Sequence, residues 1–187
     1  MQAFLVSMGA ILVSEIGDKT QLLAIVLAAR FKRPWPIVAG ILVATLMNHT
    51  LAGVVGAWLR LQLGPEVLRW CLGASFVLAA GWMLKPDRAD RDGEDPKPIG
   101  HYGVFTITAM SFFLAEMGDK TQLATVMLAA KYPSLAAVVA GTTAGMLLAD
   151  VPAVFLGHVA SDRIPFKAVR IVSALVFGVL GLTTLLG

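Results

Sequence analysis

The chain has 187 residues, 57% of them hydrophobic and only 14% charged, with a formal net charge of +3. Soluble domains are about 45–50% apolar and about 25% charged, so the composition excludes both an ordinary soluble globule and a disordered chain. The basic residues sit in short loops rather than in one patch, which argues against a nucleic-acid partner and suits anionic lipid instead.

A bilayer core takes about 20 apolar residues per helix. On that measure six spans are predicted, at 3–29, 34–59, 66–84, 102–130, 133–159 and 165–187. The first is long: 27 residues would extend roughly 40 Å as one helix, against a core of about 30 Å. It must either tilt, or break at Gly17, and the sequence leaves both open. Pro34 and Pro36 open the second span, and Pro65 the third. Proline is tolerated in a first helical turn, where its missing N–H would be unpaired anyway. Trp35, Trp58, Trp70 and Trp82 fall near span ends, where amphipathic rings prefer to sit. Cys71, the one cysteine, reads as a packed apolar residue, with no disulfide frame. Residues 85–101, KPDRADRDGEDPKPIGH, are rich in charge and contain proline and glycine, so they read as a solvated linker. Their acids do not follow a calcium-loop pattern. Pro133 and Pro165 open the fifth and sixth spans.

Lys and Arg set the orientation. The loops after spans one, three and five hold ten of them, and the opposite face holds three, Arg60, Arg69 and Lys131. The basic face is expected to be cytoplasmic, which leaves both termini outside.

Residues 15–30, EIGDKTQLLAIVLAAR, recur as 116–131, EMGDKTQLATVMLAAK, with ten of sixteen positions identical at an offset of 101. Gly40 and Gly141, Gly56 and Gly157, and Arg69 and Arg170 continue that offset. The chain therefore reads as two three-helix halves, 1–84 and 102–187, joined by 85–101. Three is odd, so the second half enters the membrane from the other side. The expected fold is an all-α integral membrane protein of six transmembrane helices arranged as two inverted three-helix repeats.

Five acids fall inside spans: Glu15, Asp18, Glu116, Asp119 and Asp150. A charge at the bilayer centre costs at least about 2.5–3.5 kcal/mol, so these groups need partners or a function. Glu15 and Asp18 share one helix face, with Gln21 a turn further on, and Glu116, Asp119 and Gln122 repeat the pattern. Inversion would bring both sets together at mid-depth. An oxygen-rich pocket without thiolate suits hard divalent cations, and protons compete with metal for carboxylates held out of water. The four motif acids less Lys19 and Lys120 leave a charge of −2, which one divalent ion or two protons neutralise. Purely structural pairing of Glu15 with Lys19 and of Glu116 with Lys120 would be well placed at i,i+4, yet it leaves the second acid, the Gln and the duplication unexplained. Lys19 and Lys120 either tune the acids, stand in as an internal cation, or only pair. Thr20 and Thr121 point away from the glutamates on an unbroken helix, so they are expected to bond backbone unless the helix unwinds. Gly17 and Gly118 are the candidate break points. His49 and Asp150 occupy equivalent positions, with Asn48 adjacent. They serve either as a proton relay and accessory ligands or as polar packing.

The E-I-G-D-K-T of 15–20 and the E-M-G-D-K-T of 116–121 resemble the paired E-φ-G-D-(K/R)-(T/S) motifs of the GDT-type cation/proton exchangers. That family includes Golgi calcium and manganese transporters and bacterial manganese exporters, and the resemblance covers almost the whole chain. It implies a metal site at Glu15, Asp18, Glu116 and Asp119, a bacterial inner-membrane location, and Mn²⁺ efflux against protons, with Ca²⁺ the other candidate ion. No permanent cofactor is implied. The expected partners are the divalent ion, protons and the lipid bilayer, with a homo-oligomer left open. The alternatives are an exporter of a small cationic solute such as an amino acid, and an intramembrane enzyme. The second fits poorly, because the repeated element contains no histidine and a catalytic site needs no inverted copy.

Overall fold

A computed structural model describes residues 1–84, 103–156 and 166–186. The linker of 85–101, including His101, and Gly157 and His158 lie outside the described residues, as does the side chain of Arg170. The described chain is helical, with eight helices and no strand: α1 Gln2–Glu15, α2 Lys19–Phe31, α3 Pro34–Gln62, α4 Pro65–Met83, α5 Val104–Glu116, α6 Lys120–Lys131, α7 Leu135–Leu156 and α8 Phe166–Leu186.

The helix boundaries follow local chemistry. Pro34 occupies the first turn of α3, and Lys32 ends α2 in a left-handed cap whose N–H bonds the Ala28 carbonyl. The sequence-predicted first and fourth spans are not single helices. Each is two short helices, α1 with α2 and α5 with α6, separated by a three-residue break. Each half is shorter than the roughly 20 residues a membrane crossing takes. Among the described residues two helices, α3 and α7, are by themselves long and apolar enough to cross a membrane.

Helix pairing follows the sequence repeat. α1 packs on α7 and α5 on α3, while α4 packs on α8. Small residues allow the close approach. A Cβ at Gly141 would collide with the Phe4 carbonyl and lie 3.0 Å from the Ser7 Cβ. A Cβ at Gly40 would lie 2.7 Å from the Thr108 Cβ and 2.9 Å from the Phe105 carbonyl. Gly40 and Gly141, Phe4 and Phe105, and Ser7 and Thr108 are all related by the same offset of 101, so one contact is built twice.

Two cores flank the breaks. Ile11, Phe76, Leu128, Met146 and Phe177 centre one, and Leu27, Ile37, Ile41, Phe112 and Val154 the other. Outside them the helices turn large apolar side chains outward: Leu46, Leu51, Leu78, Leu114, Leu175 and Leu182 are all exposed. So many large exposed apolar side chains are unusual on a water-soluble surface. Trp35, Trp58 and Trp70 are also exposed. Cys71 differs from expectation: it is exposed on α4 rather than packed. An apolar run predicts a side chain out of water, and facing outward on an apolar helix surface satisfies that equally well.

Candidate functional site

The two breaks are the same turn made twice. The Glu15 carbonyl accepts the Asp18 N–H at 3.0 Å, and the Glu116 carbonyl accepts the Asp119 N–H at 3.1 Å. Between them Ile16 and Met117 are extended, at φ −60°, ψ 115° and φ −62°, ψ 121°, and are followed by Gly17 at φ 79° and Gly118 at φ 75°. This is type II turn geometry, whose third residue needs positive φ and therefore favours glycine. The glycine of each motif is where the helix stops.

Each turn positions an acid on either side. Glu15 is the last residue of α1, and Asp18 is the N-cap of α2, its Oδ1 accepting the Lys19 N–H at 2.8 Å. Glu116 and Asp119 hold the corresponding places on α5 and α6. The glutamines brace the turns: Gln21 Oε1 accepts the Gly17 N–H, and Gln122 Oε1 the Gly118 N–H, both at 2.8 Å. Gln21 Nε2 also donates to the Ala149 carbonyl of α7 at 3.0 Å.

The break redirects the threonines. Thr20 Oγ1 donates to Glu15 Oε2 at 2.6 Å and Thr121 Oγ1 to Glu116 Oε2 at 2.9 Å. The backbone bonding expected of an unbroken helix is replaced by bonding to carboxylate, because the turn swings each hydroxyl onto the glutamate five residues earlier. The break also changes the ion pairing. Lys19 does not pair with Glu15; its Nζ reaches the other motif and lies 3.0 Å from Asp119 Oδ1.

Glu15, Asp18 and Asp119 converge. All three are buried, and one carboxylate oxygen from each lies within 4.8 Å of the others. A six-coordinate divalent ion with oxygens at about 2.1–2.4 Å spans a comparable distance between opposite ligands. Glu15 Oε1 has no hydrogen-bond partner among the described residues, nor has Asp119 Oδ2. Bare carboxylate oxygens away from water are costly unless a cation or proton meets them. The N-termini of α2 and α6 contribute their dipoles to the same region.

Glu116 lies outside that trio, although it is buried, its Oε1 has no hydrogen-bond partner among the described residues, and it is within electrostatic range of Glu15. Asp150 is also within range of Glu15 and Asp18, and neither of its oxygens has a hydrogen-bond partner among the described residues. His49 is fully buried, and neither ring nitrogen has a hydrogen-bond partner among the described residues, while Asn48 Nδ2 donates to the Phe113 carbonyl at 3.0 Å. Lys120 is buried beside Asp119 in sequence. A cavity of about 480 Å³ between α3 and α6 reaches this region, lined by Leu51, Val55, Gly118, Asp119, Gln122 and Val126. The cross-motif pair of Lys19 and Asp119 is the site contact that sequence spacing missed, since no signal in one helix shows a reach to another.

Comparison with known proteins agrees with this chemistry. Residues 3–91 and 104–187 match the family described as divalent cation/proton antiporter GDT1. A Vibrio cholerae protein named "Putative manganese exporter" is 44% identical over 185 residues, covering 98% of this chain and 90% of that protein. A GDT1-like protein of Synechocystis is 32% identical over 196 residues, covering 95% of this chain and 93% of that protein. The chloroplastic PAM71-homolog of Arabidopsis thaliana is 29% identical over 215 residues, covering 98% of this chain and 59% of that protein. No solved structure matches the chain at a comparable level.

Proposed function

The chain belongs to the GDT1 divalent cation/proton antiporter family, a family of membrane transporters and not of enzymes, and on that premise we propose that it exports Mn²⁺ from a bacterial cytoplasm in exchange for protons. The family's description favours a divalent metal over an organic cation as substrate. The choice of Mn²⁺ over Ca²⁺ is supported by the name of the Vibrio relative, while the all-oxygen ligand set accepts either ion. The observation that carries the proposal is the convergence of Glu15, Asp18 and Asp119, buried and drawn from both motifs, within 4.8 Å.

The arrangement suggests how access alternates. Glu15, Asp18 and Asp119 hold the ion in one state. Repeat symmetry makes Glu116, Asp119 and Asp18 the equivalent set in the other. Asp18 and Asp119 are then common to both states, and Glu15 and Glu116 take turns. Thr20 and Thr121 orient the two glutamates, and His49, Asn48 and Asp150 supply accessory contacts or proton positions. Six spans in two inverted repeats, 1–84 and 102–187, with 85–101 as cytoplasmic linker and both termini outside, give this exchange its scaffold. The twofold turn and the twofold glycine contact support that architecture.

Binding is the direct test. Purified protein titrated with Mn²⁺ in a calorimeter, with electron paramagnetic resonance reporting free ion, is expected to bind about one Mn²⁺ per chain. Asp18→Asn and Asp119→Asn are each expected to weaken binding by at least about tenfold, the scale of one lost ligand charge. Wild-type affinity in both variants would remove the paired motifs from the site.

A further inference from the structure

Lys19 sits among the acids of the first motif but gives its ammonium to the second. Its Nζ is 3.0 Å from Asp119 Oδ1, and Asp119 is one of the three acids whose oxygens converge. A divalent ion bound by Asp119 would therefore approach a carboxylate that already holds a cation. Two positive centres a few ångströms apart in a poorly screened site repel each other. One must give way. The side chain of Lys19 is 33% exposed whereas that of Asp119 is 9% exposed, so the lysine has accessible space to move into and the acid does not. Lysine is also a compact charge on a flexible stem, suited to leaving one position for another.

We infer that Lys19 is a tethered cation that occupies Asp119 when the transported ion is absent and is displaced from it when the ion binds. This rests on the proposed exchange at the paired motifs and adds a residue-level competitor to it. Lys19 compensates the buried negative charge between loadings, and its release is part of the binding equilibrium, so it lowers the apparent affinity for the ion and helps the site to unload. The competing role, a positioning residue that holds Asp119 in place through Oδ1 while the ion takes Oδ2, predicts the opposite sign.

Two measurements on the full chain separate them. First, wild-type protein is pulse-acylated with an amine reagent in EDTA or in saturating Mn²⁺, and modification of each lysine is read by peptide mass spectrometry. Lys19 modification is expected to rise severalfold in Mn²⁺, while Lys32, exposed at the far end of α2, stays constant as reference. Second, Lys19→Met is titrated with Mn²⁺. Its affinity is expected to be about fivefold tighter than wild type, the size expected from releasing one partly exposed ion pair. Lys19→Arg, which keeps a cation, is expected to stay near wild type. Unchanged or reduced labelling of Lys19 in Mn²⁺, or weaker binding by Lys19→Met, would overturn the inference and leave the metal site standing. Absence of Mn²⁺ and Ca²⁺ binding by the wild-type chain would overturn the proposed function and this inference with it.

Discussion

At the scale of single residues, each motif letter has a distinct job. The glutamate ends one helix, the glycine turns the chain, the aspartate takes the N-cap position of the next helix (with a side-chain cap bond at Asp18 but not at Asp119), and the threonine hydroxyl returns to the glutamate. The glycine makes the clearest demand. Gly118 has φ +75°, and a Cβ added there would meet nothing within 4 Å, so a side chain faces a backbone penalty and no clash. Gly118→Ala is expected to destabilise the protein by about 1–2 kcal/mol, the cost of a left-handed conformation for an L-residue. Gly118→Asn should cost less, because asparagine tolerates that region. Thermal unfolding of the detergent-solubilised protein checks the order. Equal melting temperatures for glycine, asparagine and alanine would mean that the turn is not maintained in solution.

At the scale of helices, the contact of α1 with α7 and its counterpart of α5 with α3 hold the two broken segments against the long helices. Gly141→Ala drives a methyl group into the Phe4 carbonyl, a backbone atom that cannot move alone, and is expected to cost about 1–3 kcal/mol. Gly9→Ala, with open space around its Cβ, is expected to melt near wild type. The comparison uses the same assay, and equal loss at both positions would contradict the packing. Much at this scale was legible in the sequence. Prolines gave the starts of α3 and α4, and the offset of 101 announced that whatever the first motif does is done twice. The break was visible only as an alternative, because Gly17 in a long apolar segment fits both a tilted helix and a turn, and the choice lies in a dihedral angle. The same turn decides the ion pairing, which the sequence leaves open. On an unbroken helix the i,i+4 rule gives Lys19 to Glu15, and once the chain turns at Gly17 that geometry is gone.

At the scale of the molecule, the two motifs meet in a cluster that neither alone would make: Glu15 and Asp18 come from the first motif and Asp119 from the second. A site shared across a repeat boundary can change its exposure when the halves move while the ligands stay nearly in place. On the proposed exchange, four motif acids and two lysines leave −2, and the charge arithmetic predicts one divalent ion exchanged for two protons. The decisive measurement is flux in proteoliposomes under an imposed pH gradient with the membrane voltage clamped, following Mn²⁺ and Ca²⁺ for wild type and for Glu15→Gln combined with Glu116→Gln. Gradient-driven Mn²⁺ movement in the wild type, lost in the double variant, is the predicted result. Wild-type vesicles that move neither ion, or a double variant that moves Mn²⁺ at the wild-type rate, would contradict exchange at the paired acids.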